Sequence, residues 1–181
     1  MQIYIETDRL ILRPIEAADR QGIFELDSDP EVHRYLGKKP IKSLPESEAV
    51  INYIQQQYEE DGIGRWAVID RRTNEFIGWS GLKYERKVRP EMPYYDLGYR
   101  LKRKFWGKGI ATETALEALN YGFRTMGLEE IYAGAHVENI GSNKVLQKVG
   151  LTFMETFEYD HAPHNWYRIG KNEWQEKMKI I

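Results

Sequence analysis

The chain has 181 residues, 41% hydrophobic and 30% charged, with 26 Lys and Arg against 28 Asp and Glu and no cysteine. This balance describes a globular chain long enough to bury roughly 70% of its unfolded surface, so folding requires neither a disulfide nor a structural metal. The missing thiols exclude cysteine nucleophiles, Cys-ligated zinc and iron–sulfur clusters; a mean hydropathy of −0.64 excludes a membrane span, and a net charge of −2 is too small for a general nucleic-acid surface.

The first residues reach an acid by Glu6 without a long apolar run, so they do not read as a secretory signal; with the absent cysteines, this sets the expectation of a cytoplasmic protein. No repeat, low-complexity tract or Gly/Ser linker divides the chain, which predicts one domain over residues 1–181. Leu10 to Arg13 reads as a first strand and Asp19 to Leu26 as a helix, with a second short helix after Pro30. Ser43 with Glu46 three residues on is a capping-box pattern, opening a helix in which Val50, Ile51, Ile54 and Tyr58 share a face and which Gly62 and Gly64 end.

Three apolar runs then follow closely, RWAVID, EFIGWSGLKY and YYDLGYRL, separated by turn-prone residues, and predict an antiparallel meander. The period changes to 3.6 at Ala115, Leu116, Leu119, Phe123 and Met126, predicting a helix from about Ile110 to Met126 with Gly127 as its stop. Glu130 to Val137 reads as a strand, Ser142 to Val149 as a short helix ended by Gly150, and Thr152 to Tyr159 and Trp166 to Gly170 as a last strand pair. The order β-αα-βββ-α-β-α-ββ is an α+β pattern with a mixed, mostly antiparallel sheet of about seven strands, the long crossover helix joining two parallel neighbours. Such a crossover places a helix N-terminus at a strand's C-terminal edge, where ligands of open sheets commonly sit.

Trp106-Gly107-Lys108-Gly109-Ile110-Ala111 falls at that junction, where glycines let a phosphate approach the backbone and the first helical N–H groups point outward unpaired. Two glycines serve a plain strand–helix turn equally well, and neither the dinucleotide-binding nor the P-loop signature is present. Five cations, Arg100, Lys102, Arg103, Lys104 and Lys108, lie between Leu97 and Thr112 without an acid, as either a local anion site or a solvated face.

FWGKGIATETALEAL, followed about thirty residues on by ENIGSNKVLQKVGLTF, closely resembles the GNAT family of acetyl-CoA-dependent N-acetyltransferases. TDRLILRPIEAAD and DPEVHRYL resemble its branch of ribosomal-protein N-terminal acetyltransferases, and the resemblance runs from about Thr7 to Trp174. It implies a GNAT-like sheet with helices on both faces, splayed between the fourth and fifth strands, and acetyl-CoA as co-substrate with no metal. The family's pyrophosphate-binding pattern places Trp106 where Gln or Arg is usual, with Gly109 and Ala111 matching, so that Gly107, Lys108 and Ile110 complete the coenzyme loop. Tyr99 and Leu101 take the places that pair with the pantetheine arm, and Asn139 and Ser142 match an Asn-x-x-Ser that faces it. On the residues alone, Tyr99 and Leu101 read as ordinary core before anything else, and Ser142 as a helix N-cap.

Transfer from a thioester needs a neutral amine, yet a lysine-like amine has a pKa near 10.4, so a base or a desolvating site is required. The thiolate leaving group needs only modest help, and direct attack without an acyl-enzyme suffices. Leu146 stands where several relatives have a Tyr acid, which leaves Ser142 as the donor toward sulfur. Asp96 takes the place of the branch's frequent Glu and is the candidate base, although strict alternation sets it opposite Tyr99 and Leu101 and calls for a bulge. His136 is the rival base, with a satisfied structural histidine as its plain alternative. His161 and His164 read as a solvated loop rather than metal ligands. The expected activity is acetyl transfer to a primary amine, on a small molecule or a protein N-terminus; the alternative is a non-catalytic acyl-CoA-binding or regulatory module of the same fold. A homodimer is compatible with either, and no nucleic-acid or membrane partner is expected.

Overall fold

Residues 5–180 are described here, in a computed structural model. β1 (Ile5–Glu6), β2 (Leu10–Pro14), β3 (Trp66–Asp70), β4 (Phe76–Glu85) and β5 (Tyr94–Leu101) run antiparallel in chain order. β6 (Glu130–His136) then joins β5 in parallel, and β8 (Ala162–Gly170) and β7 (Thr152–Tyr159) complete one eight-stranded sheet beyond it.

Alternation in β3 shows how the layers arise. Trp66 and Val68 enter one core cluster and Ala67 and Ile69 the other, and because successive strand residues point oppositely, the sheet is buried on both faces. α1 (Arg20–Asp27) and α2 (Leu44–Asp61) cover the Ala67 face through Ile23, Leu26, Ile51 and Ile54. The Trp66 face is covered by α3 (Ile110–Asn120), α4 (Ile140–Lys148) and α5 (Lys171–Met178) through Ala115, Leu119, Leu146 and Trp174. A π-helical turn, Tyr121–Thr125, carries α3 onward and buries Phe123.

The expected mixed sheet and two-sided helix cover are present; the differences are local. β1 adds an eighth strand, too short at two residues to show a period. After Pro30 the chain forms turns rather than a helix: the Val32 and His33 amides bond to the Asp29 carbonyl at 3.1 and 3.3 Å, and Gly37 and Lys38 turn left-handed at φ +82° and +52°. α5 escapes the periodic reading because KNEWQEKM buries only Trp174. The last strand begins at Ala162, four residues before Trp166, because Asp160 and His161 adopt φ +49° and +59° and make a two-residue hairpin turn. His164 is therefore a strand residue and not part of a solvated loop.

The parallel junction matters most for function. β5 and β6 meet at one register pair, Asp96 opposite Tyr132, and no further pair continues the ladder among the described residues. Beyond Asp96 the strand continues through Tyr99 and Leu101 into the loop that opens α3.

Candidate active site

The loop at the end of β5 is built by two left-handed glycines, Gly107 at φ +71° and Gly109 at φ +75°, a conformation in which any other residue is strained. Gly109 is the N-cap of α3, and the Glu113 amide closes the first turn on its carbonyl at 3.0 Å. The amides of Ile110, Ala111 and Thr112 ahead of it have no helical partner and form, with the helix dipole, a surface suited to an anion. Ile110 itself is buried and Ala111 packs against the core, so the helix start is held rigidly. Trp106 is 47% exposed and its indole Nε1 donates to the Leu101 carbonyl at 2.8 Å, so it presents no polar group to the loop.

Four of the five cations flanking the loop are engaged elsewhere. Arg100 pairs with Asp27 at 2.8 Å, Lys102 with Glu25 at 2.5 Å, Arg103 with Asp29 at 3.1 Å and Lys104 with Glu75 at 2.5 Å. Lys108 lies over the Phe105 ring and, among the described residues, has no carboxylate partner.

On the opposite lip of the β5–β6 opening, Asn139 rather than Ser142 caps α4: the Asn139 side chain accepts from the Ser142 amide at 3.1 Å. That leaves the Ser142 hydroxyl free of the capping role, and it meets the Tyr99 hydroxyl at 3.1 Å. Tyr99 thus reaches from β5 to α4, and burial pushes its phenol pKa well above the ordinary value, keeping it a proton donor. Leu101 is buried in the core, and so is Leu146, which offers no acid at its position. Asn143, which sequence reasoning passed over, fixes this lip. Its amide donates to the His136 and Asn139 carbonyls at 3.0 and 2.8 Å, and its oxygen accepts from Asn165 and the Tyr167 hydroxyl at 2.8 and 2.7 Å.

Asp96 lies in an unbroken β4–β5 register, so the bulge expected there is absent and its side chain stands on the face of α1 and α2, opposite Tyr99 and Leu101. It forms an ion pair with the buried Arg65, whose other nitrogen donates to the Asp96 carbonyl at 2.7 Å and the Gly81 carbonyl at 2.5 Å. Gly98 makes this possible: a Cβ there would lie 2.6 Å from the Arg65 guanidinium. An interior strand glycine signals close approach, and that signal was available in the sequence. Tyr58 of α2 holds the arrangement from above by donating to the Arg65 carbonyl; burial pushes its pKa up to about 12.

His136 ends β6 on the same face, its ring centroid 5.4 Å from those of Tyr35, tilted at 34°, and His164, edge-on at 75°. Its Nδ1 accepts from the Glu138 amide at 3.1 Å, which leaves Nε2 as the ring nitrogen turned to other partners. Tyr94, Tyr132 and Trp166 extend the aromatic wall, with Tyr94 4.6 Å from Trp166.

Residues 9–152 match the acetyltransferase (GNAT) domain family. An uncharacterised N-acetyltransferase of Bacillus subtilis, YoaA, is 34% identical over 146 residues, 81% of each chain. The chain belongs to the GNAT acetyltransferase family. It is accordingly an acyltransferase, and its fold recurs in solved members. Vibrio cholerae spermidine N-acetyltransferase, in complex with CoA and spermine, superposes with a TM-score of 0.74 at 21% identity over 93% of this chain and 99% of that one. The ribosomal-protein-S5-alanine acetyltransferase of Vibrio fischeri gives 0.75 at 18% identity over 95% and 98%. Among the described residues no helix is long and apolar enough to cross a membrane, and no group of three His, Asp or Glu is arranged to hold a metal ion.

Proposed function

We propose that this GNAT chain transfers an acetyl group from acetyl-CoA to a primary amine by direct attack in the opening between β5 and β6. The observation that carries the reading is the parallel pair that meets only at Asp96 and Tyr132 and then leads into the amide-lined start of α3. The residues present fit the coenzyme: Gly107 to Ala111 would hold its pyrophosphate through backbone amides, and Asn139 and Ser142 would border its pantetheine end. When bound, it supplies an activated acyl group on a good leaving thiol.

The amine comes from the other side. Asp96 and His136 both stand on the α1–α2 face, so the acceptor and the coenzyme meet across the sheet opening. Asp96 is the base: Arg65 orients one carboxylate oxygen, and among the described residues no hydrogen bond reaches the other. His136, with its Nδ1 occupied, is a donor that orients the acceptor or a water. Ser142 donates toward the departing sulfur, and the Tyr99 hydroxyl behind it donates to the Ser142 carbonyl at 3.1 Å and holds the serine in place.

The acceptor class that this face supports is a slender primary amine, such as the spermine held by the Vibrio relative. A Cβ at Gly37 would stand 3.0 Å from the Asp160 carboxylate, so the turn after Tyr35 and the β7–β8 hairpin tip meet and roof the aromatic wall. A protein N-terminus would have to enter as an extended segment beneath that roof. Thiol release from acetyl-CoA, followed with polyamines, amino acids and short N-terminal peptides, tests the reading. Amine-dependent release with at least one class is expected; tight CoA binding without release for any amine would reduce the chain to a coenzyme-binding module.

A further inference from the structure

Trp106 presents no cation at its position in the coenzyme loop, its indole bonding back to Leu101, and the loop's own Lys108 lies over the Phe105 ring. The structure brings one from elsewhere. Arg9, in the turn between β1 and β2, reaches the first turn of α3: its Nε donates to Glu113 Oε2 at 2.7 Å, and Thr7 donates to Glu113 Oε1 at 2.6 Å. The far guanidinium nitrogen, Nη2, is 3.4 Å from the position a Cβ would take on Gly109. The side chain is 49% exposed, so that nitrogen faces the loop and solvent together.

Resting on the acetyl-CoA reading above, we propose that Arg9 is a coenzyme-binding residue that contacts the pyrophosphate at Gly109, supplying from a distant part of the same chain the cation absent at Trp106. Glu113 is the positioning residue, one carboxylate serving both Thr7 and Arg9 and so fixing the guanidinium against the helix start. Three observations concur. Four cations of the loop's own segment are paired with carboxylates away from it. Nη2 stands beside Gly109, the N-cap that opens the unpaired amides of α3, and planar guanidinium suits phosphate oxygens. The segment TDRLILRP, otherwise unrelated to the site, acquires a reason for its Thr and Arg.

Calorimetric titration of the full chain with CoA and with dephospho-CoA tests this. Arg9→Gln should weaken both ligands by the same factor, about tenfold or more, as for loss of one charge-assisted hydrogen bond, because both carry the pyrophosphate. Arg9→Lys, which keeps the charge, should fall between, and it serves as the test if Arg9→Gln fails to fold. Glu113→Gln loosens the anchor but keeps the cation, and should lower the melting temperature and weaken CoA by a smaller factor than Arg9→Gln, the double variant losing no more than Arg9→Gln alone. Unchanged affinity in Arg9→Gln, or equal losses in Arg9→Gln and Glu113→Gln, overturns the Arg9 contact and leaves the coenzyme reading standing. A wild-type chain that does not bind CoA overturns both.

Discussion

Asp96 would meet two demands with one carboxylate in the proposed reaction: one oxygen completes the buried pair with Arg65, and no hydrogen bond among the described residues reaches the other, which the proposal gives to the acceptor. Asn at this position can still accept from Arg65 but takes no proton, so Asp96→Asn is expected to bind CoA as the wild type does and to lose roughly 100-fold or more in kcat. His136→Gln retains a donor and an acceptor and should cost less than about tenfold; the reverse ranking would move the base to the histidine. Ser142→Ala separates chemistry from architecture. Because Asn139 caps α4, the variant should change stability by less than about 0.5 kcal/mol while lowering kcat. Full turnover would remove Ser142 from the sulfur side. Gly109→Val forces a β-branched residue to φ +75° at the loop and should weaken CoA binding at least tenfold in a folded chain.

At the scale of elements, α4 is bolted to β6 and β8 by Asn143, whose four hydrogen bonds join three segments. Asn143→Leu strands their partners in a buried region and should cost roughly 2 kcal/mol or more, a fall of about 4 °C or more in Tm by calorimetry; an unshifted Tm would show the bolt to be dispensable. The turn segment after α1 carries a second device. His33 is 6% exposed, Nε2 lies 3.7 Å from Asp27 Oδ1, and burial, together with Arg100, outweighs that carboxylate and holds its pKa below the ordinary value. The fold therefore favours the neutral ring: its contribution is whole above about pH 6.5, the unfolded value, and is lost as acidification forces a proton onto the buried ring. Unfolding free energy from denaturant titration should fall between pH 7 and pH 5 more steeply in the wild type than in His33→Leu. Parallel profiles would place the acid sensitivity elsewhere.

For the whole molecule, the sheet order and the crossover were legible because apolar period changes from 2 to 3.6 where β5 gives way to α3, and two glycines mark that junction. What the sequence did not disclose is carried by single long-range contacts. Arg65 looks like the polar start of a strand until Gly98 opens space for it; Asn143 looks like an ordinary helix residue; and Arg9 is 104 positions from its partner Glu113. Helix α5 and the two-residue β1 were missed because neither buries enough apolar surface to leave a period. The same limit moved the α4 cap from Ser142 to Asn139, three residues apart and both good caps by type. All these placements converge on one opening, the divergence of β5 from β6 beyond Asp96. A crystal structure of the chain with CoA tests that convergence most directly. The pyrophosphate should lie on residues 107–111 and the pantetheine between β5 and β6, with its sulfur near Ser142 and open toward Asp96. A pyrophosphate bound at any other helix, or an arm lying outside the β5–β6 opening, would contradict it.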